Sequence, residues 1–373
     1  MRLGERQARM ILSGLPDWGP VSIRHLLDAF AGSAVAALEA DVASLLPICG
    51  SKRAESLLHW ERHFDLARQE AFLERENAVY LTEDAPAYPV LLRQIHDAPV
   101  GLYCTGPALA GARAVAIVGT RRPSAYGRKL TRTLAGGLAE AGLTIVSGLA
   151  AGVDAEAHSA ALDAGGNTIG VLGNGLNIVY PRENAALFRR MRAEGAIMSE
   201  FYFGRVADRQ TFPQRNRIVA GMCEAVIVIE SGASGGSLIT ARFAGEQGRT
   251  VMAVPGRVDM ETSLGCHRLI RDGATLVTSV ADVLEDLDFR QAELPFNDTG
   301  GSRLRAPVSG PPANLADEEK AVLEPLLGGD ALHPDHICDR TGLASFTVNA
   351  ALLMLEMKGA VAKRPDGTYE RAF

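Results

Sequence analysis

Five arginines, Arg121, Arg122, Arg182, Arg215 and Arg217, and four glycine-rich bends are the residues whose types and spacing could do chemistry in this chain. A guanidinium offers a flat fork of N–H donors that fits phosphate oxygens, and the Asn216 amide between two arginines suits a base edge. The bends are Gly119-Thr120-Arg121-Arg122, Ser147-Gly148-Leu149, Gly173-Asn174-Gly175 and Ser231-Gly232-Ala233-Ser234-Gly235-Gly236-Ser237. Small residues let backbone N–H groups come close to an anion, and a helix that follows adds its positive N-terminal end. A phosphate-rich ligand is expected. The same arginines also have plainer uses: Arg215 and Arg217 could pair with Glu200 or Glu230, and Arg182 could be a solvated helix start.

Groups for covalent or acid–base work are sparse. Asp154 and His158 stand four apart on a helical pattern, a spacing at which a carboxylate can orient an imidazole base. A histidine that braces its helix beneath a sheet has the same signature. His59 and His63 are also four apart, but Trp60-Glu61-Arg62 lacks the arrangement of zinc-protease helices, which leaves two surface histidines. No serine or cysteine sits in a recognisable nucleophile elbow. Cys49, Cys104, Cys223, Cys266 and Cys338 are odd in number and scattered, so neither a disulfide framework nor a metal pair can be drawn. No catalytic residue, metal or cofactor is expected.

Bends of this kind need a scaffold that carries them to one edge. Ala114-Val115-Ala116-Ile117-Val118 is an unbroken apolar run ended by Gly119, as in a strand buried on both faces, and a helical pattern follows over residues 128–141. The alternation continues with strands at 143–146, 167–172, 196–199, 225–229 and 250–254, and helices at 153–164, 184–194, 215–222 and 237–247. Residues 79–82 and 100–104 read as two further strands. The fold class is α/β: a doubly wound, mainly parallel sheet covered on both faces, with its loops at the carboxyl ends of the strands, where such sheets hold ligands.

Residues 1–78 are helical in pattern, which fits either a small module that touches DNA backbones or a cap on the sheet domain of residues 79–289. Pro, Gly, Ser and Asn then become frequent, marking a linker over 290–314. Three short helical patterns at 317–327, 334–340 and 345–357 precede a hairpin around Pro365-Asp366-Gly367, which makes a winged helix of residues 315–373. Its third helix carries Thr347, Asn349 and Ala350 and has Asp335, Asp339 and Glu356 nearby. That face suits partner docking or dimerisation better than phosphate contact.

A length of 373 residues allows two or three domains, and 47% hydrophobic with 22% charged residues is ordinary for a globular protein. No apolar run is long enough to span a bilayer, and the first residues lack a signal-peptide pattern, so a cytoplasmic protein without membrane insertion is expected. The net charge of −6 argues mildly against a nucleic-acid partner, yet between Arg113 and Arg217 fourteen basic residues face eight acidic ones. A basic pocket can hide inside an acidic average. Dinucleotides are disfavoured because Gly119-Thr120-Arg121-Arg122-Pro123-Ser124 is not the Gly-x-Gly-x-x-Gly turn, and no Gly-x-x-x-x-Gly-Lys-Ser/Thr loop exists for a nucleoside triphosphate.

The ordered motifs Val118-Gly119-Thr120-Arg121-Arg122-Pro123, Ser147-Gly148-Leu149-Ala150-x-Gly152-Val153-Asp154-x-x-Ala157-His158 and Gly173-x-Gly175-Leu176-x-x-x-Tyr180-Pro181-x-x-Asn184 resemble those of the DNA-processing protein A family, DprA, also called Smf. Phe212-Pro213-x-Arg215-Asn216-Arg217-Ile218, Ser234-Gly235-Gly236-Ser237-Leu238-Ile239-Thr240-Ala241 and Ala253-Val254-Pro255-Gly256 extend the resemblance across the sheet domain. Ala151 departs from it where many members carry a basic or polar residue. The resemblance implies an extended Rossmann-like domain, a SAM-like, helix-hairpin-helix-like N-terminal domain and a winged-helix tail. It also implies a homodimer that binds single-stranded DNA during natural transformation, protects it and loads RecA recombinase onto it. By position, the DNA site would comprise Gly119, Thr120, Arg121, Arg122, Ser147, Gly148, Arg182, Arg215, Asn216, Arg217, Ser234, Gly235, Gly236 and Ser237.

Two other functions remain open. Rossmann-like phosphoribohydrolases that cleave nucleoside monophosphates carry a Pro-Gly-Gly-x-Gly-Thr-x-x-Glu motif, and Ser234-Gly235-Gly236-Ser237-Leu238-Ile239-Thr240 lacks its glutamate. An adaptor acting chiefly through the tail is the third possibility. Strand binding requires the arginines to converge on one rim, and a structure with Arg121 and Arg217 on opposite sides would sink that expectation.

Overall fold

The computed structural model describes residues 3–107, 113–293, 315–326, 332–358, 360–363 and 368–371. The chain divides into two compact units, Met1–Leu294 and Pro295–Phe373. The first is built on nine strands: β1 (Val79–Thr82), β2 (Gly101–Thr105), β3 (Ala114–Val118), β4 (Thr144–Ser147), β5 (Thr168–Leu172), β6 (Ala196–Ser199), β7 (Ala225–Val228), β8 (Thr250–Ala253) and β9 (Thr275–Leu276). Their order is β1-β2-β6-β5-β4-β3-β7-β8-β9. Pairing is parallel from β6 through to β9, and only β1 and β2 run antiparallel to their neighbours.

The apolar runs form strands because both of their faces are covered. Val115 and Ile117 of β3 pack with helices Ala125–Glu140 and Val153–Asp163, while Ala116 and Val118 pack with helices Thr211–Gly221 and Ser237–Glu246. After β3 the chain winds outward through β4, β5 and β6, then returns to lay β7 against the free side of β3, with Val118 opposite Val228. The winding direction reverses there, and such a reversal opens a crevice at the carboxyl ends of the strands.

The eight strands expected from the sequence lie within one residue of β1 to β8, and β9 has no counterpart in that pattern. Helix Thr211–Gly221 departs further, starting four residues before the expected 215. Asp208 is the cause. Its Oδ1 accepts from the N–H groups of Gln210 (2.8 Å) and Thr211 (2.9 Å), so the first turn forms upstream of Pro213. Proline is tolerated in a first turn because its missing N–H has no intrahelical partner to lose.

The N-terminal helices Glu5–Gly14, Pro20–Ala29, Ala34–Leu38, Val42–Leu58 and Leu66–Arg75 pack on the antiparallel end of the sheet. One apolar cluster runs from Met10 and Leu26 through Tyr80 and Tyr103 to Phe203. Each large side chain buried there contributes about 1.5–3 kcal/mol. Phe72 stacks on Phe203 at 5.2 Å, and the Gln69 amide pairs with both backbone groups of Phe203. These helices therefore share their core with the sheet.

In the second unit, helices Asp317–Leu323, Pro334–Thr341 and Ser345–Met357 enclose Val322, Ile337, Val348 and Leu352, and Val361–Lys363 pairs antiparallel with Tyr369–Arg371. This is a winged helix. Its third helix exposes Phe346 (79%) and Leu353 (58%), with no cation among its residues. The linker expected at 290–314 lies outside the described residues from 294 onward, while 290–293 still belong to helix Val280–Glu293. The turn Pro365-Asp366-Gly367 also lies outside them. No helix among the described residues is long and apolar enough to cross a membrane.

Candidate functional site

At the winding reversal, the loops after β3 and β7 and the first turns of helix Thr211–Gly221 enclose a cleft of about 430 Å³. Gly119, Thr120 and Arg121 come from the first loop, Gly235, Gly236 and Ser237 from the second, and Phe212, Arg215 and Asn216 from the helix. Gly119 is required by close approach: a Cβ there would lie 2.6 Å from the Val153 side chain and 3.0 Å from the Glu230 carbonyl oxygen. Thr120 N donates to that carbonyl at 2.7 Å, and Val153 N donates to Thr120 O at 3.2 Å. The loop is thereby fixed between two neighbours.

The cleft is open to anions on two sides. The amides of Gly236 and Ser237 donate to no protein acceptor among the described residues, and the Asn216 side chain makes no hydrogen bond to them. Arg121 is exposed, and neither it nor Arg122 pairs with an acid among the described residues. The Arg121 guanidinium lies 5.6 Å over the Phe212 ring, and Tyr180, 44% exposed, sits 5.9 Å from the same ring. Arg121, Arg122, Tyr180 and Pro181 line an adjoining cavity of about 320 Å³. Exposed Arg182 begins the short turn Arg182–Asn184 just beyond it.

Four expected residues lie elsewhere. Ser147 is fully buried and its hydroxyl donates to Ile117 O at 2.6 Å. Gly148 N already donates to Asp154 Oδ2 at 3.1 Å, and a Cβ on Gly148 would meet the Arg215 guanidinium at 1.3 Å. These two residues seat Arg215 rather than face a ligand. Ser234 is exposed at the loop tip and does not line the cleft. Arg217 is turned to the other flank of its helix, where Nη2 meets Glu200 Oε2 at 2.6 Å and Nε meets Asp97 at 3.3 Å. Residues two apart on a helix point about 200° apart, so Arg215 and Arg217 cannot share one cavity. Arg121 and Arg215 line one cleft, and Arg217, expected on the same rim, lines a separate cavity of about 380 Å³ beside Ser13 and Trp18.

Asp154 and His158 form no catalytic pair. Burial pushes the Asp154 carboxyl up from its ordinary value, Arg215 at 3.9 Å partly offsets this, and the N–H groups of Gly148 and Ala150 occupy Oδ2. His158 is fully buried and lies 2.6 Å from Thr168 Oγ1, whose hydroxyl donates to Ile145 O. Burial, helped by Arg215, drives its pKa down to about 3, so it braces the helix as a neutral ring. Exposed His59 and His63 flank the turn Trp60–Arg62, and no acidic or sulfur cluster that could hold a metal occurs among the described residues.

Residues 79–288 match the family model for DNA recombination-mediator protein A, and residues 306–367 match that for the DprA winged helix domain. The chain belongs to the DprA family. It is 37% identical over 328 residues to Protein Smf of Synechocystis sp., covering 80% of this chain and 81% of that protein. The X-ray structure of DprA from Streptococcus pneumoniae aligns with a TM-score of 0.65 at 35% identity, over 77% of this chain and 99% of that one. DNA processing protein A from Helicobacter pylori, whose structure is described for its single-stranded DNA binding mode, aligns with a TM-score of 0.52 at 31% identity, over 57% of this chain and 96% of that one.

Within this DprA-family cleft, sequence reasoning did not single out Tyr180 and Phe212. The available signal was an aromatic residue beside each cationic motif, Tyr180 before Arg182 and Phe212 before Arg215. Asn184 adds support: its Nδ2 donates to Leu149 O (3.0 Å) and Ala150 O (3.1 Å). That holds Leu149 at φ 55, an uncommon left-handed position for a branched residue.

Proposed function

We propose that this chain binds single-stranded DNA along the rim formed by Arg121, Arg122, Tyr180, Phe212, Asn216 and the Gly236 and Ser237 amides. The observation that supports it best is the stack of exposed Arg121 over Phe212, with Tyr180 on the same ring and open backbone donors nearby. Aromatic faces take any base, while guanidinium and amide groups take the phosphates between bases. Arg182 extends the rim. Arg217 is left out because Glu200 and Asp97 pair with it on the other flank of the helix, and Ser147 and Gly148 because their hydroxyl and amide already donate within the protein.

The role is binding rather than turnover. Asp154 is the carboxyl group lining the cleft, and its oxygen already accepts two backbone N–H groups beside Arg215. In keeping with its family, the chain would act as a homodimer that shields incoming strands and loads RecA during natural transformation.

Fluorescence anisotropy with single- and double-stranded oligonucleotides across a salt series tests this function. Preference for the single strand is expected, with log affinity falling by roughly 0.7 per phosphate contacted for each decade of salt. Equal affinity for both, or release of free base from nucleoside monophosphates, would leave the assignment wrong. RecA loading is tested by RecA filament assembly on oligonucleotides coated with single-strand binding protein, with and without this chain.

A further inference from the structure

In a doubly wound sheet, phosphates ordinarily lodge at the N-termini of helices that follow the strands. Here the first of these positions is already taken by the protein. The N–H of Ser124, which caps helix Ala125–Glu140, donates to Glu230 Oε2 at 2.8 Å, and its hydroxyl donates to Oε1 at 2.5 Å. A Cβ on Gly127 would lie 2.5 Å from the same carboxylate, which therefore rests directly on the first turn. Glu230 is 4% exposed and has no cation within ion-pair distance among the described residues. Its backbone is fixed as well, because its carbonyl accepts from Thr120 N.

At the next helix, Val153–Asp163, the arrangement differs: its own Asp154 accepts from the upstream loop amides of Gly148 and Ala150, and Val153 N donates to Thr120 O. Helix Ser237–Glu246 has no carboxylate on its start among the described residues: the Gly236 amide has no acceptor there, and a Cβ on Gly236 would meet nothing within 4 Å. The start of helix Ala125–Glu140 is occupied by a carboxylate from a distant strand end, and the start of helix Ser237–Glu246 is not.

We propose that Glu230 is a resident anion that closes the helix start beside the cleft, so that the site selects a strand over a free nucleotide. A lone phosphate or nucleoside monophosphate gains most from an enclosed receptacle, and to enter this one it must displace a like-charged group. A strand avoids that cost by laying successive phosphates along the exposed rim. The purpose rests on the strand-binding function proposed above. The plug itself is measured with inorganic phosphate, so failure of DNA binding and failure of this inference are separable. A carboxylate that merely capped its helix would, on replacement, lower stability and admit nothing.

The full-length protein and its Glu230→Ala and Glu230→Gln variants are titrated with inorganic phosphate and dAMP at constant ionic strength, by calorimetry and melting shift. Glu230→Ala removes charge and volume and is expected to bind both anions about ten-fold more tightly than the unaltered chain. A folded Glu230→Ala with no gain overturns the inference, as does an unaltered chain that binds phosphate equally well. Where Glu230→Ala fails to fold, Glu230→Gln decides. It keeps the shape and loses the charge, so improved dAMP binding supports the plug and unchanged binding overturns it.

Discussion

Helix Thr211–Gly221 separates two cavities of similar size, and each contains a buried arginine from that helix. On the cleft side, Arg215 meets Asp154 only at 3.9 Å, and exposed Arg121 nearby makes no ion pair among the described residues. On the other side, Arg217 is gripped by Glu200 at 2.6 Å and by Asp97. One cavity keeps an exposed guanidinium outside any ion pair among the described residues. The other uses its arginine to join the helix to its neighbours. Charge in a motif therefore says little about binding until its counter-charges are located.

The largest expected effect comes from breaking the ion-paired side. Arg217→Ala leaves Glu200 buried without its partner, and chemical denaturation should show a loss of about 3–5 kcal/mol. Oligonucleotide affinity of the folded fraction should be unchanged, and lost affinity with intact stability would reverse the two roles. Second is a pH effect behind the cleft. The native state holds His158 neutral down to about pH 3, while the unfolded chain protonates it below its ordinary value near 6.5. Stability from this group is complete above pH 6.5 and falls as pH drops toward 3, by about 1.4 kcal/mol per unit. Urea unfolding at several pH values should show this slope, and His158→Gln should flatten it.

Phe212→Ala should weaken single-strand binding by about 1–3 kcal/mol through the lost stacking face, with little change in melting temperature. Tyr180→Ala should act in the same direction, since both rings border Arg121. The smallest effect is Arg121→Ala. Affinity should fall uniformly across sequences, and the salt slope should decrease by roughly 0.7, the signature of one phosphate contact. An unchanged slope would remove Arg121 from the rim and blur the contrast between the two cavities.

Much of this could be read without a structure. The run 114–118 ends in Gly119 and is buried throughout, as expected of a strand packed on both faces. Gly119, Thr120 and Gly235–Ser237 reach the cleft because strand ends in a parallel sheet carry their loops to one edge. The start of helix Thr211–Gly221 was not legible. Proline after phenylalanine signals a break, and what overrides it is the Asp208 carboxylate accepting from the Gln210 and Thr211 amides, contacts that depend on the loop's path.

The sequence by itself determined the alternation of strands and helices, the glycine-lined edge and the family motifs, because each is a short-range pattern of burial or backbone freedom. Tertiary structure alone decided that Arg215 faces the cleft while Arg217 faces Glu200, that Tyr180 meets Phe212, and that Glu230 covers the first turn after Ser124. Those pairings join segments 17 to 106 residues apart or hinge on roughly 100° of helical rotation per residue. Only the packed sheet sets which of these groups meet.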